Sequence, residues 1–483
     1  MSAGALVDLG MRFAALDLGQ PVPAVQYQQQ HVRPDARIIS LMAMSGDHVG
    51  LWGVAIGTAE LPRPKMLVVA DPRRRDEQTA VWRFLAEQLG SYLRWCDGQS
   101  MCPQIVVADE QCWSQLVAGA HRYAWSRDAT LSSAAAAITV LAERVESAGQ
   151  QAVVMAREVL DAHAMTGADP DQQRDLQALL AWHAPRADRQ PSGIAADDGD
   201  CVIPEDLDTE ISPLAKRLRR TERHSGVRAI ETCRASLATL VEPVLAARWT
   251  RIVEALSALA ALDLPLLPGL EEMAADDNRD WQRWAARRAE GKHPLRPSVR
   301  SAMVALVARE YAAARWTHHQ LRHDEIVYTR AEFSGEALTL TDLEWSSHSV
   351  VGHSARAPRL RVGDVVVRRS AVKEKFTVLA LEDVAAGAVR VTLERTASAA
   401  NSAGAECETL QLLPRFSSQN PIGVTLTRLG GDRMPWTHRP SPQQVPDDAP
   451  RWRHDDARPA PRGTARCRPT DVLDVARALR QSR

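Results

Sequence analysis

The segment LRVGDVVVRRSAVKEKFTVLALEDVAAGAVRVTLER, Leu360–Arg395, sets the reading of the chain around it. β-Branched residues crowd into short runs, DVVVRR, KFTVLALED and AVRVTLER, and the pairs Gly363-Asp364 and Ala386-Gly387 stand at turn positions. Runs about ten residues apart predict a small β-barrel. Upstream, EIVYTRAEF and EALTLTDLEW have the same composition and are expected as strands. Downstream, ETLQLLPRF is a candidate for one more, so the barrel is expected over 326–428. From Arg356 to Arg395 there are nine Lys/Arg and five Asp/Glu, a local net of +4. Such a surface can track a phosphate backbone with a salt-dependent affinity. The expected contacts are Arg361, Arg368, Arg369, Lys373, Lys375 and Arg390. Aromatic side chains for base stacking are few: Phe376 within the segment, Trp345 and Phe416 nearby.

Before the barrel the pattern is helical over 129–325, with a Pro-, Asp- and Gly-rich linker near 184–211. Ser132–His163 reads as helix, with Ile138, Leu141, Val145, Met155 and Val159 at helical spacing. Ser212-Pro213 reads as an N-cap with a first-turn proline after it. The helix it opens has a basic head in which Lys216, Arg219 and Arg220 are further candidate phosphate contacts. Earlier still, RIISLMAM, LWGVAIG, KMLVVADP and PQIVVADE read as strands, alternating after the third with helical stretches from Arg75 to Trp95 and over CWSQLVAGAHRYAW. That alternation predicts an α/β unit over 36–128. Residues 1–35 read as an irregular arm.

Residues 429–483 form a tail low in apolar residues and rich in Pro, Arg and Asp. It closes on the amphipathic stretch Thr470–Leu479, where Val472, Val475 and Leu479 are expected to anchor a protein partner. The fold class expected is therefore multidomain: α/β, then all-α, then a small barrel.

The 483 residues suffice for two to four domains, and the net charge of -1 gives no global pull toward nucleic acid or membrane. No run of about 18 apolar residues is present, so no membrane span is expected. Seven scattered cysteines and a start without a basic, then apolar, leader point to a cytoplasmic protein.

Two constellations could carry chemistry. Asp47, Asp71, Asp109 and Glu110 lie at turns or strand ends of the α/β unit. A nuclease using Asp71, Asp109 and Glu110 would need them to converge on Mg²⁺ or Mn²⁺ ions about 4 Å apart. The first strand, RIISLMAM, offers no acid to such a site. His319 and His323, four apart on a helix, could present two imidazoles to a metal, with His348 and His353 as further ligands. Neither set forms a recognised motif, and no Walker A loop, dinucleotide glycine motif, G-x-S-x-G or kinase set occurs. The primary expectation is no metal or cofactor.

The stretch from RRRDEQTAVWRFLAEQLG to PQIVVADEQCWSQLVAGAHRYAW resembles the second half of the ribonuclease H-like domain in bacterial RecB-like nuclease and helicase fusions. RLRVGDVVVRR and the residues after it are similar to the small barrel inserted in superfamily 1 helicases, and RPTDVLDVARALRQ resembles the helix before their Walker A loop. The resemblance implies a degenerate ribonuclease H-like layer and the non-motor part of a helicase-like machine. It would bind nucleic acid without an active site of its own, beside a helicase or nuclease partner, in antiphage defence or DNA repair. A metal-dependent nuclease and a structural scaffold are the alternatives.

Overall fold

In the computed structural model, the residues described are 3–44, 50–184, 201–224, 227–290, 299–385, 388–396 and 407–416. Asp47 and the tail residues Val472, Val475 and Leu479 lie outside them. The chain opens with helix α1 (Ala3–Leu18), where an irregular arm was expected. Its inner side, including Ala15, packs on the structure, and Asp8 pairs with Arg330. A two-residue strand β1 (Val22–Pro23) comes next.

The α/β layer begins with β2 (Arg37–Ala43), β3 (Leu51–Gly57) and β4 (Lys65–Val68), then α2 (Arg75–Gly98), β5 (Ile105–Val107), α3 (Glu110–Tyr123) and α4 (Ala129–Val145). The sheet order is β4-β3-β2-β5-β6, where β6 (Val153–Met155) is a strand that the sequence disguises. AVVMAREVLDAH keeps helical spacing, yet its first part pairs in parallel with β5, and the helix α5 (Ala156–His163) begins only afterwards. The sheet thus runs past residue 128. β7 (Ala164–Met165) pairs with β1, and α6 (Leu176–His183) comes after it.

The helical stretch beyond is in part the sheet's second layer. Helix α7 (Glu205–His224) starts seven residues before Ser212, so Pro213 is internal and the first turn holds Glu205, Asp206 and Asp208. Its basic residues therefore fall toward the carboxyl end, which suits the helix dipole. Helix α8 (Val227–Ala261) packs across β2, β3 and β4. Gly53 and Gly57 make that approach possible: a Cβ there would meet Leu245 or Trp249 of α8 at 3.3 Å. All seven residues of β3 are buried, as a strand covered on both faces must be. Leu237, Val241, Leu245, Trp249 and Ile252 of α8 share one apolar core with the sheet and with α2–α4.

Helices α9 (Leu270–Ala289) and α10 (Val299–His323) lead to α11 (Glu325–Ser334). This last element is EIVYTRAEF, expected as a strand. Asp324 caps it by accepting from the Ile326 and Val327 amides, and Gly335 ends it at φ +79°. A capped start and a left-handed stop outweigh the β-branched composition.

Six strands then close a barrel: β8 (Leu338–Trp345), β9 (Ser349–Ser354), β10 (Val365–Arg368), β11 (Lys375–Ala385), β12 (Ala388–Arg395) and β13 (Leu410–Pro414). The order is β10-β11-β12-β9-β8-β13, and β13 returns to β10. Leu340, Val350, Phe376, Val378, Val391, Leu393 and Leu410 fill its interior. No described helix is long and apolar enough to cross a membrane.

Candidate nucleic-acid interface

Strands β2, β4, β5 and β6 run in one direction, because β3 is antiparallel to both its neighbours. Their carboxyl ends, and the start of β3, therefore form one edge of the sheet. Asp71 lies just past β4 and Asp109 just past β5, so both candidate carboxylates belong to this edge. Two strands separate them, which places them about 14 Å apart at ordinary strand spacing, too far for one two-metal site.

Asp109 and Asp71 also have other work. Asp109 is the N-cap of α3 and accepts from the Cys112 amide at 2.7 Å. Asp71 accepts from the Arg73 amide at 3.2 Å and pairs with Arg219 of α7 at 3.0 Å. Glu110 is exposed, and its amide donates to Glu158 of α5 at 3.0 Å. Glu158 is an acid at this edge that sequence reading missed, because β6 was hidden inside an expected helix. Burial raises its pKa, against the Arg157 guanidinium that lowers it. Among the described residues no three His, Cys, Asp or Glu side chains are grouped to hold a metal ion.

The histidine pair is likewise a packing feature. The His319 and His323 rings lie 6.3 Å apart. His319 sits against Gly269, where a Cβ would come within 2.6 Å of the ring. Burial lowers the pKa of both imidazoles, and brings that of His318, stacked on Phe416 at 5.5 Å, to about 4.

The expected barrel contacts divide. Arg369 is 8% exposed and joins the barrel to the helices: its Nε donates to the Leu321 and Arg322 carbonyls at 2.9 and 3.1 Å, and Nη1 to Gln411 at 3.0 Å. It also pairs with Glu325 and lies 4.3 Å over the Tyr328 ring. Arg368 pairs with Glu374 at 3.2 Å, Arg359 with Glu336 at 3.2 Å, and Arg390 approaches Glu344 at 3.9 Å. Glu325, Glu336 and Glu344 all lie outside the window in which the charge of +4 was counted, so the surface is less positive than its sequence. Arg361, Lys373 and Lys375 have no carboxylate partner among the described residues. Lys375 and Arg390 fall at opposite ends of β11, since Arg390 faces Glu382 seven residues on, about 23 Å away.

At the sheet edge the reverse occurs. The Asp71–Arg219 pair and the pair of buried Glu77 with Arg234 of α8, at 2.7 Å, bring α7 and α8 to Arg73, Arg74 and the first residue of α2, Arg75. Lys216 and Arg220 of α7 remain exposed beside them. Comparison with protein-family models, with curated proteins and with solved structures returned no match.

Proposed function

We propose that the protein is a nucleic-acid-binding accessory subunit without a hydrolytic site, working beside a helicase or nuclease partner. The observation that carries the proposal is the sheet edge, where acids that could have held metals are instead bound to arginines or used as a helix cap. The strand order, with one antiparallel strand second in sequence within the five-stranded sheet, is that expected of a ribonuclease H-like layer. Ion pairs there hold the acids and leave arginines and lysines outward, which suits phosphate contact and not phosphodiester cleavage. The closed barrel beside α11 supports the likeness to helicase-inserted barrels, and the partner reading rests on that likeness.

The test is incubation of the full chain with single- and double-stranded DNA and RNA in Mg²⁺ or Mn²⁺. Intact substrate is expected, with binding that weakens steeply as salt rises. Metal-dependent cleavage that disappears in Asp109→Ala would overturn the proposal.

A further inference from the structure

The barrel's candidate stacking aromatics already have neighbours: Phe376 is inside it, half-buried Trp345 lies under Arg395, whose guanidinium is 5.4 Å from the ring, and Phe416 is stacked on His318. An exposed aromatic in basic surroundings occurs elsewhere. Trp125, between α3 and α4, is 66% exposed, the highest value among the large apolar side chains described. An indole so exposed offers an open aromatic face on which a base could stack. His121, Arg122 and Arg127, its neighbours in sequence, are all exposed.

A chain of contacts connects this corner to the sheet edge. Ser126 is hydrogen-bonded to the Tyr123 carbonyl, and the Tyr123 hydroxyl lies 3.5 Å from Thr79 of α2. Thr79 in turn donates to the Arg75 carbonyl. One turn further along α2, Arg83 lies 3.5 Å from Asp128, three residues after Trp125. Arg75, Thr79 and Arg83 are four apart, so they share one face of α2 over about 12 Å. At its amino end this face meets Arg73 and Arg74, just before α2, and the Asp71–Arg219 pair ties that segment to the helix carrying Lys216 and Arg220. The acids nearby are engaged: Asp76 with Arg74 at 2.5 Å, Asp128 with Arg83 and as the N-cap of α4, and Glu77 with Arg234. Glu87 continues the face beyond Arg83 and marks where the positive stripe stops.

We propose that this stripe is a binding site for single-stranded nucleic acid, in which Trp125 stacks an unpaired base and Arg73, Arg75 and Arg127, none of which has a carboxylate partner among the described residues, contact successive phosphates. The proposal rests on the nucleic-acid reading above and moves the contact surface from the barrel to the α2 side of the sheet edge. One exposed indole offers a π-face to a base that is free to leave its stack, so single strands are favoured over duplex. The arginines supply the salt-dependent part of the affinity and no sequence preference.

The experiment is fluorescence anisotropy of a dye-labelled oligo(dT) of about 15 nucleotides, and of a duplex of equal length, titrated with the full chain at several salt concentrations. Trp125→Ala should weaken oligo(dT) binding about tenfold, with Trp125→Phe restoring most of it and the duplex responding less. Arg75→Ala with Arg127→Ala should flatten the salt slope by about two units. Lys373→Ala with Lys375→Ala should change neither. Wild-type binding that is untouched by the Trp125 and arginine variants would overturn this site and leave the nucleic-acid reading standing. Absence of any binding by the wild type at low salt would overturn both. Displacement of the oligonucleotide by polyglutamate as readily as by unlabelled oligo(dT) would also overturn it, in favour of an acidic protein partner. All the altered side chains except Lys375 are exposed, and circular dichroism of each variant checks that the fold is kept.

Discussion

The sheet edge and the barrel both hold arginine–carboxylate pairs, and the pairs have opposite consequences. In the barrel, pairing holds Arg368 and Arg369 in the structure and sets Glu336 and Glu344 beside the exposed Arg359 and Arg390, which lowers the local positive charge. At the sheet edge, Arg219 and Arg234 reach across from other helices to buried acids 148 and 157 positions earlier in the sequence, and so assemble basic residues that the chain itself keeps far apart. Charge counted along a window is therefore a poor guide to charge on a surface. What matters is where each carboxylate partner comes from.

The largest effect that would sharpen this contrast is on stability. Arg369→Leu removes a buried guanidinium and leaves the Leu321 and Arg322 carbonyls and Gln411 without their donor. A loss of about 3 kcal/mol is expected from urea unfolding. A loss under about 0.5 kcal/mol, the size of an ordinary surface change, would return Arg369 to the ligand-binding set.

A smaller effect is expected at the edge. Arg219→Ala strips Asp71 of its side-chain partner, but Arg219 is 35% exposed and water screens part of the interaction, so the cost should be about 1 kcal/mol. Lys216→Ala and Arg220→Ala should stay within about 0.5 kcal/mol, because both are exposed and have no carboxylate partner among the described residues. Equal losses at all three positions would contradict the division between structural and outward basic residues.

The smallest effect concerns Glu158. Burial raises its folded pKa above the unfolded one, so the folded chain keeps the proton to higher pH. Stability from this group is full below the unfolded pKa and falls as pH rises through the folded value. Glu158→Gln should therefore melt slightly above the wild type near neutrality, with the gap closing below about pH 4. A variant that melts lower at neutral pH would mean that the Arg157 and Glu110 contacts dominate.

Much of the sheet was legible because its strands are apolar runs bounded by Gly, Pro and Asp: RIISLMAM, LWGVAIG and PQIVVADE all hold strands. β6 was not, because three residues of strand carry too little pattern to stand out from the helix after it. In α11 the β-branched composition points to a strand, while the Asp324 cap and the Gly335 stop, both visible in the sequence, decide for a helix. The pairing of Arg219 with Asp71 could not be read at all, since it depends on α7 and α8 folding back over the sheet. Trp125 was visible as a residue, but only its exposure and its link to α2 give it meaning.

The most direct test of the α2 side as the nucleic-acid surface is amide hydrogen exchange on the full chain with and without a saturating single-stranded oligonucleotide. Slowed exchange is expected in peptides covering 71–83 and 121–128, with the barrel peptides over 361–395 unchanged. Protection confined to 361–395, with the α2 side unaltered, would contradict it.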